Sequence, residues 1–134
     1  MSVLVDTSVW IEFLRATGSA ADRWLMAAVR AERELAWTEP VLFELLVGAT
    51  SERHAAALRA SAVRGPALRV AGLADWEAAA TLARQARTAG RPIRSTVDCL
   101  IAAVAIRTET PVATLDDDFR TIAQVAPLEL VPLG

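Results

Sequence analysis

Apolar residues in this chain fall in short runs separated by polar punctuation, and the period of each run predicts its element. Ser2 to Val5 is a valine-rich run short enough for a fully buried strand, and it ends at Asp6-Thr7-Ser8, three residues that favour helix caps. Trp10, Ile11 and Leu14 then recur at helical spacing up to a break at Gly18, and a second helix is expected from about Ala20 to Arg33. Leu35 to Trp37 reads as another strand. Glu39-Pro40 opens a helix with proline in its first turn and Gly48 near its end, which places Glu44 one turn inside. Glu52 to Arg64 is helical up to Gly65-Pro66, and Leu68 to Val70 is a short strand candidate. A helix from Asp75 to Thr88 and a turn at Gly90-Arg91-Pro92 lead to Ser95-Thr96-Val97-Asp98, a capping pattern before the apolar run Cys99 to Ile106. After Pro111, Val112 to Leu115 reads as a strand, Asp116 to Asp118 caps a short helix, and Leu128 to Val131 is a terminal strand. Short apolar strands alternating with longer helices predict an α/β architecture with a mainly parallel central sheet flanked by helices.

Composition narrows the function classes. At 134 residues with 54% hydrophobic content, the chain suits one core. No apolar run reaches the roughly 18 uninterrupted positions of a membrane-spanning helix. The first strand begins at Val3, so no export leader is expected, and a lone Cys99 inside an apolar stretch is expected to fill core space; both fit a reducing cytoplasm. The net charge of −2 argues against a nucleic-acid partner at first sight. All fourteen basic residues are arginine, however, and each offers a planar fork suited to phosphate. Genome composition accounts equally for that usage.

Four acids stand out by position. Asp6 and Asp116 each follow a predicted strand, and in a parallel sheet both lie at carboxyl ends, where open α/β folds place their sites. Glu44 is embedded in Val41-Leu42-Phe43-Glu44-Leu45-Leu46-Val47, where a buried carboxylate needs a partner or a metal. Asp98 heads the long apolar helix. Taken singly, Asp6 and Asp116 read as helix N-caps, Asp98 as the acid of a Ser-x-x-Asp capping box, and Glu44 as a solvent-facing residue. Taken together, converging carboxylates repel by about 4 kcal/mol per pair at about 4 Å and an effective dielectric near 20, and divalent cations relieve that repulsion. All-oxygen ligation suits Mg²⁺, with Mn²⁺ as a substitute, and disfavours zinc. The only histidine, His54, lies in a polar helix and reads as a surface residue. A cation so placed activates water for attack on a phosphodiester, which is nuclease chemistry.

These segments resemble the PIN-domain signature and, within it, the VapC toxins of VapBC systems. Val3-Leu4-Val5-Asp6-Thr7-Ser8-Val9-Trp10-Ile11 is similar to the family's opening strand and first acid. Glu44, Asp98 in Val97-Asp98-Cys99-Leu100-Ile101-Ala102-Ala103, and Thr114-Leu115-Asp116-Asp117-Asp118-Phe119 match the second to fourth acids. The resemblance runs from Val3 to about Val131 and implies that residues 1–134 form a single PIN-like nuclease domain. It also implies a Mg²⁺-dependent endoribonuclease, commonly a homodimer, neutralised by a VapB-type antitoxin and cutting an RNA substrate. Three consecutive aspartates leave the fourth ligand open between Asp116, preferred for its place at the strand end, and Asp118, with Asp117 expected to face solvent. Thr7, Ser8 and Thr114 are candidates to support Asp6, Asp116 or a metal-bound water through their hydroxyls, with local backbone bonding as the alternative. Arg91 and Arg94 are candidates for RNA phosphate contacts, against a solvated helix face that also includes Arg84 and Arg87. Trp10, Trp24, Trp37 and Trp76 sit within apolar periodicity and read as core rather than stacking platforms. A response-regulator or haloacid-dehalogenase phosphoacceptor domain also places acids at strand ends, but it needs a lysine that this chain lacks. A catalytically silent PIN-like protein- or RNA-binding module is the remaining alternative.

Overall fold

The computed structural model describes residues 1–134 as three short parallel strands and seven helices. In chain order these are β1 (Val3–Val5), α1 (Thr7–Leu14), α2 (Ala20–Arg30), β2 (Leu35–Ala36), α3 (Glu39–Val47), α4 (Glu52–Ala62), α5 (Gly72–Thr88), α6 (Thr96–Arg107), β3 (Val112–Ala113) and α7 (Asp117–Val125). The strand order is β2-β1-β3, with Leu4 opposite Ala36 on one side and Val112 on the other. β1 is therefore paired on both edges, which is why its Val-Leu-Val sequence is apolar without alternation and wholly buried.

Helices flank this sheet around one cluster of buried side chains that includes Leu4, Leu25, Val41, Ile101, Phe119 and Ile122. α6 is the most enclosed helix: every residue from Asp98 to Ala105 is buried. Cys99 is among them, a free thiol inside the core. No helix is long and apolar enough to cross a membrane.

Several predicted boundaries move. The strand expected at Leu68 to Val70 is a single parallel bridge from Ala67 to Trp37, and the terminal strand at Leu128 to Val131 is one bridge from Leu130 to Val112. α1 stops at Leu14 rather than running to Gly18, and α2 stops at Arg30 rather than Arg33. α5 begins at Gly72, about one turn before Asp75, because the Asp75 carboxylate accepts the Ala71 amide at 2.6 Å and a two-pronged bond from Arg107. α6, by contrast, begins at Thr96 with Ser95 at the N-cap position, where the Ser-x-x-Asp pattern puts its start.

The topology fixes where a site forms. From β1 the chain leaves toward β2, whereas from β3 it leaves on the other side of the sheet, so a crevice opens between the carboxyl ends of β1 and β3. Asp6 and Asp116 stand on its two lips.

Candidate metal centre

Asp6 is the residue at which β1 hands over to α1. It occupies the N-cap position, but its carboxylate makes no cap bond; instead Oδ2 accepts the hydroxyls of Ser8 at 2.8 Å and Thr114 at 2.9 Å. Those hydroxyls are themselves anchored: Ser8 Oγ accepts the Leu115 amide and Thr114 Oγ1 the Asp116 amide, both at 3.0 Å. Two neighbouring strand ends are thus laced together through one carboxylate. Burial pushes the Asp6 carboxyl above its ordinary range, and the two hydroxyl bonds pull partly against that.

Glu44 arrives from α3, whose start is fixed by proline in its first turn. Thr7, the first residue of α1, donates its hydroxyl to Glu44 Oε1 at 3.0 Å. Glu44 is half-buried, and burial, together with the negative charges of Asp6 and Asp116, raises its carboxyl.

Asp98, one turn into α6, is 3% exposed, and its Oδ2 is buried with no hydrogen-bond partner. Burial first, then the charges of Asp116 and Asp6, a side-chain hydrogen bond with Asp118 that favours the protonated form, and the charge of Glu44, push its carboxyl up to about 9. A buried acceptor left without a donor and ringed by negative charge is the signature of a place that suits a cation.

One oxygen each from Asp6, Glu44 and Asp98 lie within 4.8 Å of one another, and so do oxygens from Asp98, Asp116 and Asp118. Asp98 belongs to both groups and joins them. Asp116 also caps α7, its Oδ1 accepting the Asp118 amide at 3.0 Å. Asp117 is exposed and paired with Arg120 at 2.6 Å. Asp118 is buried, and its carboxylate accepts two consecutive backbone amides, Arg94 at 3.1 Å and Ser95 at 2.9 Å. That contact spans more than twenty residues, and no local pattern announces it. An all-oxygen donor set with one unpartnered oxygen fits a hard divalent cation.

The arginines lie outside this cluster. Arg94 is exposed on the turn before α6 and touches the site only through its amide, while the Arg91 side chain donates to Gln124 on α7. Arg84 and Arg87 are exposed on α5. His54 is exposed, and its Nδ1 accepts the Thr50 amide at 3.1 Å. Trp10 is buried and Trp24 and Trp37 are half-buried, as apolar periodicity implies, but Trp76 departs from that pattern at 59% exposure.

A parallel sheet with carboxylates gathered at its switch point forms an all-oxygen donor set of the kind nucleases offer a divalent cation. The PIN domain model matches residues 3–125, and the chain belongs to that family, whose nucleases use a divalent metal. Within it, the chain is 39% identical over 128 residues to Ribonuclease VapC11 of Mycobacterium tuberculosis, covering 95% of this chain and 96% of the relative. Among solved structures it is similar to VapBC-5 of Mycobacterium tuberculosis, a member of the VapBC family of toxin–antitoxin systems, at 27% identity and a TM-score of 0.65, with 97% of each chain covered. DNA-bound VapBC from Salmonella typhimurium shares the fold, with a TM-score of 0.75 at 17% identity over 100% of this chain and 99% of that one.

Proposed function

We propose that the chain is the toxin of a type II toxin–antitoxin pair, an endoribonuclease dependent on Mg²⁺ or, as a substitute, Mn²⁺, and acting in the cytoplasm. The observation that carries this reading is the unpartnered Asp98 oxygen at the junction of two carboxylate groups drawn from four separate chain segments. Asp6, Glu44, Asp98 and Asp116 would hold the cation. When bound, it would supply an activated water and positive charge to offset the negative charge that develops on an RNA phosphodiester during in-line attack.

The chain's own residues prepare that chemistry. Ser8 and Thr114 fix the Asp6 carboxylate in one orientation, and Thr7 does the same for Glu44. Asp98 gives up a proton when the site is loaded, since a ligand carboxyl must be ionised. Arg91 and Arg94, both exposed on the segment between α5 and α6, are the proposed contacts to RNA phosphates. Cleavage leaves a 5′-phosphate and a 3′-hydroxyl. The partner that silences the enzyme is a VapB-type antitoxin, by analogy with the VapBC complexes that share this fold, and the active form is a homodimer of single-domain protomers.

The test is RNA cleavage by purified protein with Mg²⁺, with EDTA, and with Asp98→Asn, followed by mapping of the new 5′ ends. Wild type with Mg²⁺ should cut and EDTA should stop it. Asp98→Asn should lose more than the roughly 10- to 100-fold that removal of an outer partner of a metal ligand costs. Equal cleavage by both proteins, or cleavage in EDTA, overturns metal catalysis; no cleavage under any condition favours the silent binding module.

A further inference from the structure

Ser95-Thr96-Val97-Asp98 has the sequence of a capping box, in which the acid at the third helical position reaches back to the amide of the N-cap residue. Ser95 is indeed the N-cap of α6 and Asp98 the third residue of the helix, yet neither half of the box forms. The Ser95 side chain makes no cap bond, and the Asp98 Oδ2 is buried without a partner. The Ser95 amide is taken instead by Asp118 Oδ2 at 2.9 Å, while Asp118 Oδ1 takes the preceding amide, Arg94, at 3.1 Å.

We propose that Asp118 is a positioning residue that caps α6 from α7 in place of Asp98, and that this substitution keeps the Asp98 carboxylate free for the metal centre. This rests on the metal-dependent reading above. With Asp118 in place, the donor that would draw Asp98 back onto its own helix is already satisfied, and Asp98 is left facing other carboxylates rather than an amide. Each Asp118 oxygen accepts one backbone amide, and although one of them lies within 4.8 Å of Asp98 and Asp116 oxygens, its proposed part in the site is to hold the 94–95 turn rather than to ligate. Asp118 is itself held by the bond from its amide to Asp116 Oδ1, which ties the turn before α6 to the end of β3.

The test combines amide hydrogen exchange with Mn²⁺ affinity for wild type, Asp118→Asn and Asp118→Ala. In metal-free protein the Arg94 amide should exchange slowly in wild type, faster in Asp118→Asn, whose side chain retains one acceptor, and fastest in Asp118→Ala. Mn²⁺ affinity should fall in the same order, by roughly 10-fold or more for alanine. Adding Mg²⁺ to wild type should leave the Arg94 and Ser95 amides protected. Faster exchange of both on adding Mg²⁺ would mean that the Asp118 carboxylate leaves the backbone to bind the cation, and would overturn the proposal. So would unchanged Arg94 exchange or unchanged Mn²⁺ affinity in the alanine variant. If alanine prevents folding, the asparagine variant carries the same comparison. Should wild type bind no Mn²⁺, the metal-dependent reading fails, while the metal-free exchange arm still decides whether Asp118 holds the turn.

Discussion

Asp98 concentrates the electrostatic cost of the site in one side chain. Its carboxyl, pushed up from an ordinary 3.8 to about 9, holds a proton in the folded metal-free chain that the unfolded chain releases. Between those two values the unfolded state binds fewer protons than the native state, so stability falls as pH rises through that window. Asp6 and Glu44, both raised as well, add in the same direction. Asp98→Asn carries no charge to bury and relieves its neighbours. In EDTA the variant should therefore melt above wild type by a margin that widens from pH 5 to pH 9 and reaches several degrees. Saturating Mg²⁺ should reverse the order, because ligand binding stabilises only the chain that retains its full donor set. Thermal melts across pH in both conditions measure this, and melting curves that stay parallel from pH 5 to pH 9 in EDTA would exclude a buried, protonated Asp98.

The elements are joined at places where backbone meets backbone, and Gly65 is the tightest. A Cβ there would lie 1.9 Å from the Leu35 carbonyl oxygen and 2.8 Å from its carbon, and neither can step aside because Leu35 is paired with Val3 in the sheet. Gly65→Ala should push the segment after α4 away from β2. That movement would strain the bonds from Trp37 Nε1 to the Gly65 carbonyl at 3.2 Å and from the Trp37 amide to Pro66 at 3.0 Å. A loss of about 1–3 kcal/mol is expected, read by urea unfolding against wild type; an unchanged midpoint would show that the junction relaxes without cost. Such contacts also mark where sequence reading stops. Helix starts with a local signal, such as Glu39-Pro40 for α3 and Asp116 for α7, were legible because the capping chemistry lies beside them. α5 starts one turn early because Asp75 answers to Arg107, 32 residues away, and the α6 cap comes from Asp118, 23 residues away. Leu68 to Val70 has the apolar character of a strand, but the Val70 amide goes to Glu39 Oε1 at 2.9 Å rather than to a neighbouring strand. The four candidate acids were legible as a set because their order along the chain matches strand ends and helix starts. The role of Asp118 was hidden because three adjacent aspartates look alike until the fold buries one, caps a helix with another and leaves the third in solvent.

On the scale of the molecule, two helices leave apolar side chains without cover. α3 exposes Phe43 and Val47 at 61% and 70%, and α5 exposes Leu73 and Trp76 at 72% and 59%. Both helices pack against α6, and beside Trp76 a cavity of about 230 Å³ is lined by Ala79, Ala83, Val97 and Leu100. Each large apolar side chain taken fully from water contributes about 1.5–3 kcal/mol, so pairing that covers Phe43, Val47, Leu73 and Trp76 together would return several kcal/mol toward the cost of association. In a two-fold dimer the same patch is used twice, and one substitution is felt on both sides of the contact. The net charge of −2 opposes self-association only weakly. Wild type should therefore sediment at twice the 14.3 kDa of one chain at micromolar concentration, and Trp76→Glu or Val47→Asp should shift it to the single-chain mass with the melting temperature of the fold otherwise retained. A wild-type protein that sediments as one chain, or variants that remain paired, would place the dimer contact elsewhere or remove it. Mixing each variant with wild type then tests the symmetry of the contact, since a two-fold interface in the mixed pair carries the introduced charge on one side only.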